Sequence, residues 1–191
     1  NNNNKLNLKS YDDLHDWSIK NISNFWNSIV DFFKIEFDYK SKIIYDYNED
    51  FIKAKWFTGS KISYSKNVFK NYNSKYPAIK FLNESGLYQE ISWKSLKLKT
   101  VQFQNILINN EIKIGDRVAG YCSNTPETVA AFLAVNSIGA IWCSCSPEFG
   151  FESINDRLTQ IEPKILFFNS TYKYSGKKFS LIKKVKKLKK S

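Results

Sequence analysis

The stretch between residues 117 and 168 constrains the fold more than any other, because short apolar runs alternate there with helical patterns. Arg117-Val-Ala-Gly-Tyr-Cys122 reads as a strand. The helix after it carries signals at both ends. Asn124 or Thr125 can cap it, Pro126 suits its first turn, Glu127 complements its dipole, and Gly139 stands where it should stop. Ala140-Ile-Trp-Cys143 begins the next strand, Glu152 to Ile161 forms the next helix, and Pro163 leads into Lys164-Ile-Leu-Phe-Phe168. Strand, helix, strand, helix, strand is the pattern of right-handed βαβ units. It predicts a three-strand parallel core at 117–122, 140–144 and 164–168.

The flanks extend this core. Ala78 to Leu82 and Tyr88 to Ser92 enclose the turn formers Asn83-Glu-Ser-Gly86, a hairpin signal, and Ser92 can cap a helix from Trp93 to Asn109. Ile114-Gly-Asp116 then turns the chain into the first parallel strand. Toward the end, Phe179 to Lys190 reads as an amphipathic helix packed on the sheet, with Leu181, Ile182, Val185 and Leu188 on one face and lysines elsewhere. At the other end, Leu14, Trp17, Ile19, Ile22, Phe25, Trp26, Ile29, Phe32 and Phe33 recur at helical steps, predicting a two-helix arm over 11–37. Residues 40–73 lose that period but keep Trp56, Phe57, Tyr64 and Phe69, which predicts an irregular wrap. The fold class expected is therefore α/β: a helical arm followed by a βαβαβ parallel-sheet portion. Residues 1–10 stay unassigned or disordered, 11–75 form the arm, and 76–191 begin the sheet domain.

Apolar residues make up 42% of the chain and aromatics 16%, enough to favour a packed core over disorder. The formal charge of +11 suggests a nucleic-acid partner until its distribution is considered. Eight lysines lie between Lys177 and Lys190, and without them 21 basic residues face 18 acidic ones. That near balance argues against a dedicated nucleic-acid binder. Cys122, Cys143 and Cys145 with the single His15 are too few and wrongly spaced for a zinc site, and Cys143 and Cys145 would share one strand face as small hydrophobes. No apolar run approaches the ~18 residues of a membrane span and no leader is evident, so the expected location is a reducing cytoplasm, with no membrane partner. The chain contains no Met, so the expectation is that its natural start is absent or processed.

Several runs resemble a known family. Ile114-Gly-Asp-Arg-Val-Ala-Gly-Tyr-Cys-Ser-Asn-Thr-Pro-Glu-Thr-Val-Ala-Ala-Phe-Leu-Ala-Val-Asn-Ser-Ile-Gly-Ala140 resembles the strand-helix-strand unit of acyl-CoA synthetases, within the adenylate-forming ligase superfamily. Tyr11-Asp-Asp-Leu-His-Asp-Trp-Ser18 with Phe25-Trp26, and Ala54-Lys-Trp-Phe-Thr-Gly59 running to Tyr64-Ser-Lys-Asn67, resemble the arm that precedes the core in acetyl-CoA and acetoacetyl-CoA synthetases. Ile141-Trp-Cys-Ser-Cys-Ser-Pro-Glu-Phe-Gly150, with Asp156-Arg157 and Gln160-Ile-Glu-Pro-Lys164, is similar to acetoacetyl-CoA synthetases in particular. The resemblance covers residues 11–188.

The resemblance implies a two-step ligase. ATP and acetoacetate give an acyl-adenylate and pyrophosphate, and the CoA thiol then displaces AMP. Mg²⁺ and positioned donors would screen the phosphates. In the family the Ser/Thr/Gly-rich phosphate loop, the adenine pocket and the mobile domain with its catalytic lysine lie beyond the position of Ser191. The expectation is an incomplete N-terminal portion, inactive alone, with no catalytic residue. ATP, CoA and Mg²⁺ belong to the whole enzyme, and acetoacetate, ATP and CoA would be bound through the parts beyond.

The same resemblance places Pro147-Glu148-Phe149-Gly150 in the turn that lies against CoA, and Tyr174 with Lys177 where arginines contact its nucleotide phosphates. A lysine supplies a point charge without a guanidinium fork, and a tyrosine supplies none. The plainer alternative is an ordinary turn and a surface lysine. Arg157 is expected in a structural ion pair with Asp156, Glu162 or a neighbouring carboxylate, and His15 on the helix surface or in packing. Two other functions stay open: a non-catalytic CoA-binding or interaction module derived from such a ligase, and a basic nucleic-acid binder using the lysine helix.

Overall fold

A computed structural model describes residues 6–47, 51–70 and 75–188, and the chain divides into two compact units, Asn1–Ser63 and Tyr64–Ser191. The first unit opens with α1 (Tyr11–Lys20), started by a reciprocal cap. The Asp13 amide donates to Ser10 Oγ at 3.1 Å and the Ser10 amide to the Asp13 carboxylate at 3.0 Å. Asn21 separates α1 from α2 (Ile22–Phe32). The helical arm stops at Phe32 and not at 37, because Lys34 takes a left-handed φ of 51° that no helix can continue through. Two short strands, β1 (Tyr45–Asp46) and β2 (Lys55–Trp56), pair antiparallel and stack Tyr45 on Trp56 at 4.4 Å, with Trp26 edge-on at 5.5 Å. Among the described hydrophobic side chains of this unit only Val30 is buried.

Residues 64–69 depart from the expected wrap. They form α3 (Tyr64–Phe69), a helix too short for periodicity to reveal, and belong to the second unit. Ser65 Oγ donates to the Leu133 carbonyl at 3.0 Å in a buried setting, and Tyr64 meets Phe132 edge-on. The remainder of the expected wrap falls partly on 48–50 and 71–74, outside the described residues. The hairpin of β3 (Ile79–Leu82) and β4 (Tyr88–Ile91) follows, its turn held by the Asn83 side chain, which accepts from the Ser85 and Leu87 amides. Next comes α4 (Trp93–Asn109), with Ser92 Oγ accepting from the Ser95 amide as foreseen.

The alternation then appears as β5 (Arg117–Tyr121), α5 (Pro126–Ser137), β6 (Ile141–Cys145), α6 (Phe151–Ile161) and β7 (Ile165–Phe168). The three strands are parallel in the order β6-β5-β7, with Ala119 aligned to Cys143 on one side and Leu166 on the other. Period-two alternation gives the sheet two apolar faces. Val118, Trp142, Ile165 and Phe167 pack with Leu107 of α4 and Ala134 and Val135 of α5. Tyr121, Cys145 and Leu166 pack with Ile154 of α6 on the opposite face. Asp116, at the amino end of β5, accepts from Lys164 at 2.8 Å and from the Lys113 amide at 2.7 Å. The Lys164 ammonium, then the Lys113 amide, hold its carboxyl below the usual range.

One expected element is corrected. The chain does not enter a helix at Phe179. Instead β8 (Thr171–Tyr174) and β9 (Lys177–Ser180) form an antiparallel hairpin, and α7 (Ile182–Leu188) is shorter, with 189 and 190 outside the described residues. Ser175 and Gly176 both have positive φ, 47° and 73°, the conformation of a two-residue type I′ turn. Phe179 stacks on Tyr172 at 5.2 Å, and Leu181 is fully buried against the Tyr121 cluster. Lysine density hid this strand behind a helical spacing of apolar residues.

The sheet leaves no room for a side chain at Gly120, where an added Cβ would stand 2.5 Å from Trp142 Cζ2. Gly120→Ala is expected to lower stability by about 1–3 kcal/mol through overpacking. The denaturant midpoint of the variant checks this. Adding Trp142→Phe should restore part of the loss, and a midpoint unchanged by Gly120→Ala would contradict the packing described.

Candidate functional site

In an open α/β sheet, ligands bind beyond the carboxyl ends of the strands where the winding reverses. From β5 the chain moves to β6 on one side and then crosses to β7 on the other, so the reversal falls at β5. A cleft of about 900 Å³ opens at that end of the sheet. Its floor is Cys122 to Thr125 after β5, together with Ser144 and Cys145 at the end of β6 and Ser146 to Glu148 after it. Thr171 to Lys173 and Lys178 of the β8–β9 hairpin form one wall, and Phe81 to Ser85 of the β3–β4 turn form another.

Local chemistry positions this floor. Thr125 Oγ1 caps α5 by accepting from the Thr128 amide, and Thr128 Oγ1 donates to the Ser123 carbonyl at 2.8 Å. The Asn169 side chain after β7 accepts from the Ser123 amide at 2.6 Å, tying two strand ends together. Tyr121 fixes the turn after β6: its hydroxyl lies 2.8 Å from the Phe149 carbonyl and 3.1 Å from that of Pro147, acceptors on both arms of the turn. Sequence reasoning missed this tyrosine, because nothing in a strand pattern reveals which carbonyl a buried phenol will reach. Burial raises the Tyr121 phenol and both the Cys122 and Cys145 thiols above their ordinary values. At neutral pH the cleft's two sulfurs are therefore protonated and poor nucleophiles.

The five positions singled out in the sequence separate here. Glu148 lines the cleft, and its carboxylate is the second cause, after burial, of a raised Tyr172 phenol on the hairpin wall. Phe149 and Gly150 continue the same turn into α6, with Gly150 as its N-cap. Tyr174 and Lys177 are a cross-strand pair at the tip of the hairpin, beyond the residues that line the cleft. Their neighbours Lys173 and Lys178 face it instead. Arg157 is corrected: its guanidinium lies over the Phe149 ring at 5.1 Å, while Glu162 pairs at 3.9 Å with Arg117. Adjacent residues on a helix do not face each other, so Arg157 is turned away from Asp156 and its guanidinium rests on the ring instead. His15 is exposed on α1 beside Tyr11 and Asp16. Among the described residues no group of three or more His, Cys, Asp or Glu could hold a metal ion, and no helix is long and apolar enough to cross a membrane.

These features, an open parallel sheet with its cleft at the switch point, define a nucleotide-type α/β domain, and residues 68–191 match the AMP-binding enzyme family, to which the chain belongs. Residues 11–68 match the acetyl-coenzyme A synthetase N-terminus. The chain is 33% identical over 181 residues to an acetoacetyl-coenzyme A synthetase of Rhizobium meliloti, covering 95% of this chain and 28% of that protein. It is 32% identical over 186 residues to an acetoacetyl-CoA synthetase of Macaca fascicularis, covering 96% and 28%. A solved structure of the acetoacetyl-CoA synthetase from Streptomyces lividans superposes with a TM-score of 0.89 at 29% identity, covering 96% of this chain and 28% of that one. The chain thus spans little more than a quarter of the length of the relatives it matches.

Tyr121→Phe removes the hydroxyl that holds the 147–149 turn. It is expected to cost about 1 kcal/mol, the net worth of one such hydrogen bond. A lower denaturant midpoint at unchanged slope checks it, and a midpoint equal to that of the native chain would contradict the role given to this hydroxyl.

Proposed function

We propose that these residues form the N-terminal part of an ATP-dependent acetoacetate-CoA ligase, which joins acetoacetate to CoA through an acyl-adenylate with release of pyrophosphate and AMP. The observation that carries this reading is the unbroken order of two matches, a synthetase N-terminus over 11–68 and an AMP-binding enzyme over 68–191, along a chain about one-third identical to acetoacetyl-CoA synthetases. In this reading residues 11–75 are the arm and 76–191 begin the ligase domain. Glu148, Phe149 and Gly150 then supply the turn against CoA, and Tyr174 with Lys177 approach its nucleotide phosphates. The cleft at the carboxyl ends of β5 and β6 supports the part of that assignment that concerns Glu148, which lies on its floor, while Tyr174 and Lys177 stand at the hairpin tip outside its lining.

These residues contribute binding and orientation. The Tyr121 hydroxyl fixes the turn, and burial keeps the Cys122 and Cys145 thiols protonated at neutral pH. Mg²⁺ would neutralise phosphate charge on ATP, so that the acetoacetate carboxylate can attack it. No cluster of metal ligands occurs among the described residues, so no step is assigned to a metal here.

The test is exchange of labelled pyrophosphate into ATP. The protein of natural length is expected to catalyse exchange that depends on acetoacetate. The isolated 191 residues should give none above a mock preparation, since preorganised phosphate donors supply most of such a rate. Acetoacetate-independent behaviour of the natural-length protein would contradict the reading. So would exchange by residues 1–191 that a substitution within them abolishes.

A further inference from the structure

The turn at 147–150 is held largely from outside itself. Its own backbone supplies the bond from the Phe149 amide to the Ser146 carbonyl at 3.2 Å. The other contacts come from three elements distant in sequence. The Phe149 carbonyl accepts from the Tyr121 hydroxyl of β5 at 2.8 Å and from Lys184 Nζ of α7 at 3.2 Å, which occupies both of its lone pairs. The Phe149 ring lies under the Arg157 guanidinium of α6 at 5.1 Å. Lys187, three residues after Lys184 and so on the same face of α7, stands 3.7 Å from the centre of the Phe151 ring. The core sets these positions, because Leu181, just before α7, packs with Val185 and Leu188 on the Tyr121 cluster. Among the described residues none of Arg157, Lys184 and Lys187 pairs with a carboxylate, and none lines the cleft.

We infer that Arg157 and Lys184 are positioning residues, which hold Phe149 and with it the 147–150 turn in the place where a ligand of the cleft meets it, without touching that ligand themselves. The guanidinium restrains the ring and the ammonium restrains the peptide plane, so the two contacts fix different atoms of one residue. A binding turn held in this way keeps its geometry before the ligand arrives, which is where preorganised sites gain affinity. The two cations thereby acquire a role that needs no anionic partner. That the ligand is CoA rests on the ligase reading; the restraint on the turn does not.

The experiment uses the natural-length protein with the double substitution Arg157→Met/Lys184→Met, which removes both cations and keeps long side chains, beside the conservative pair Arg157→Lys/Lys184→Arg. Three properties are measured: amide hydrogen exchange at 148–151 without ligand, acetoacetate-dependent incorporation of pyrophosphate into ATP, and KM for CoA in acetoacetyl-CoA formation. In the Met variant the 148–151 amides are expected to lose protection several-fold while α5 and β6 keep theirs, and the melting temperature should stay close to native, since both contacts lie at the surface. KM for CoA should rise about fivefold with kcat and pyrophosphate incorporation little changed, and the conservative variant should restore both KM and protection. Native protection at 148–151, a native KM for CoA, a parallel fall of kcat and pyrophosphate incorporation, or no rescue by the conservative variant would overturn the inference. Lost protection at 148–151 in a protein whose native form incorporates no pyrophosphate with acetoacetate would uphold the restraint on the turn and remove the ligase reading.

Discussion

Strand β5 is the constraint on which the second unit depends, because it is the middle strand of three and is covered on both faces. Val118 and Gly120 face α4 and α5, while Ala119 and Tyr121 face α6, and four of the five residues from Arg117 to Tyr121 are buried. A strand in that position cannot slip by one residue without exchanging its two faces. Gly120 makes the requirement stricter, because the Trp142 ring of β6 occupies the volume that any Cβ would need. With β5 held, the order β6-β5-β7 follows, and with it the reversal of winding that opens the cleft beyond Tyr121. Stability and site share one residue here. Tyr121 is fully buried in the core below and its hydroxyl shapes the turn above.

The elements with strong local chemistry are legible in the sequence. The caps Ser92 and Thr125, the Pro126 start and the Gly139 exit each satisfy a backbone demand that few other residues meet, so both helices begin where the sequence indicates. The parallel core was legible for a similar reason, since strands buried on both faces read as continuous apolar runs. What escaped was short or overwritten. The six residues of α3 offer less than two helical turns of pattern. In the β8–β9 hairpin, lysines at 173, 177 and 178 masked the alternation of Tyr172, Tyr174 and Phe179, and the Ser175-Gly176 turn signal went unread.

The candidate site was legible in part, and the division has a physical basis. The turn at 147–150 appears as an unusual run with Pro and Gly, and it does stand at the cleft, with Glu148 on its floor. Which lysines line that cleft depends on strand register, which a misread hairpin could not provide; Lys177 lies at the tip, while Lys173 and Lys178, exposed as well, border the cleft. Tyr121 and Asn169 act through single hydrogen bonds to backbone across the sheet, a relation with no local signature. The lysine excess likewise gains meaning only in three dimensions. Part of it lines a cavity, and Lys184 and Lys187 are occupied by the Phe149 carbonyl and the Phe151 ring.

We propose that the phosphates of a CoA-type ligand are held at the carboxyl end of this parallel sheet, beside the β8–β9 hairpin. A crystal structure of the natural-length protein with CoA bound tests it most directly. The account predicts phosphate density between the hairpin and the 147–150 turn. CoA bound at the amino end of the sheet, or with its phosphates clear of the hairpin altogether, would contradict it.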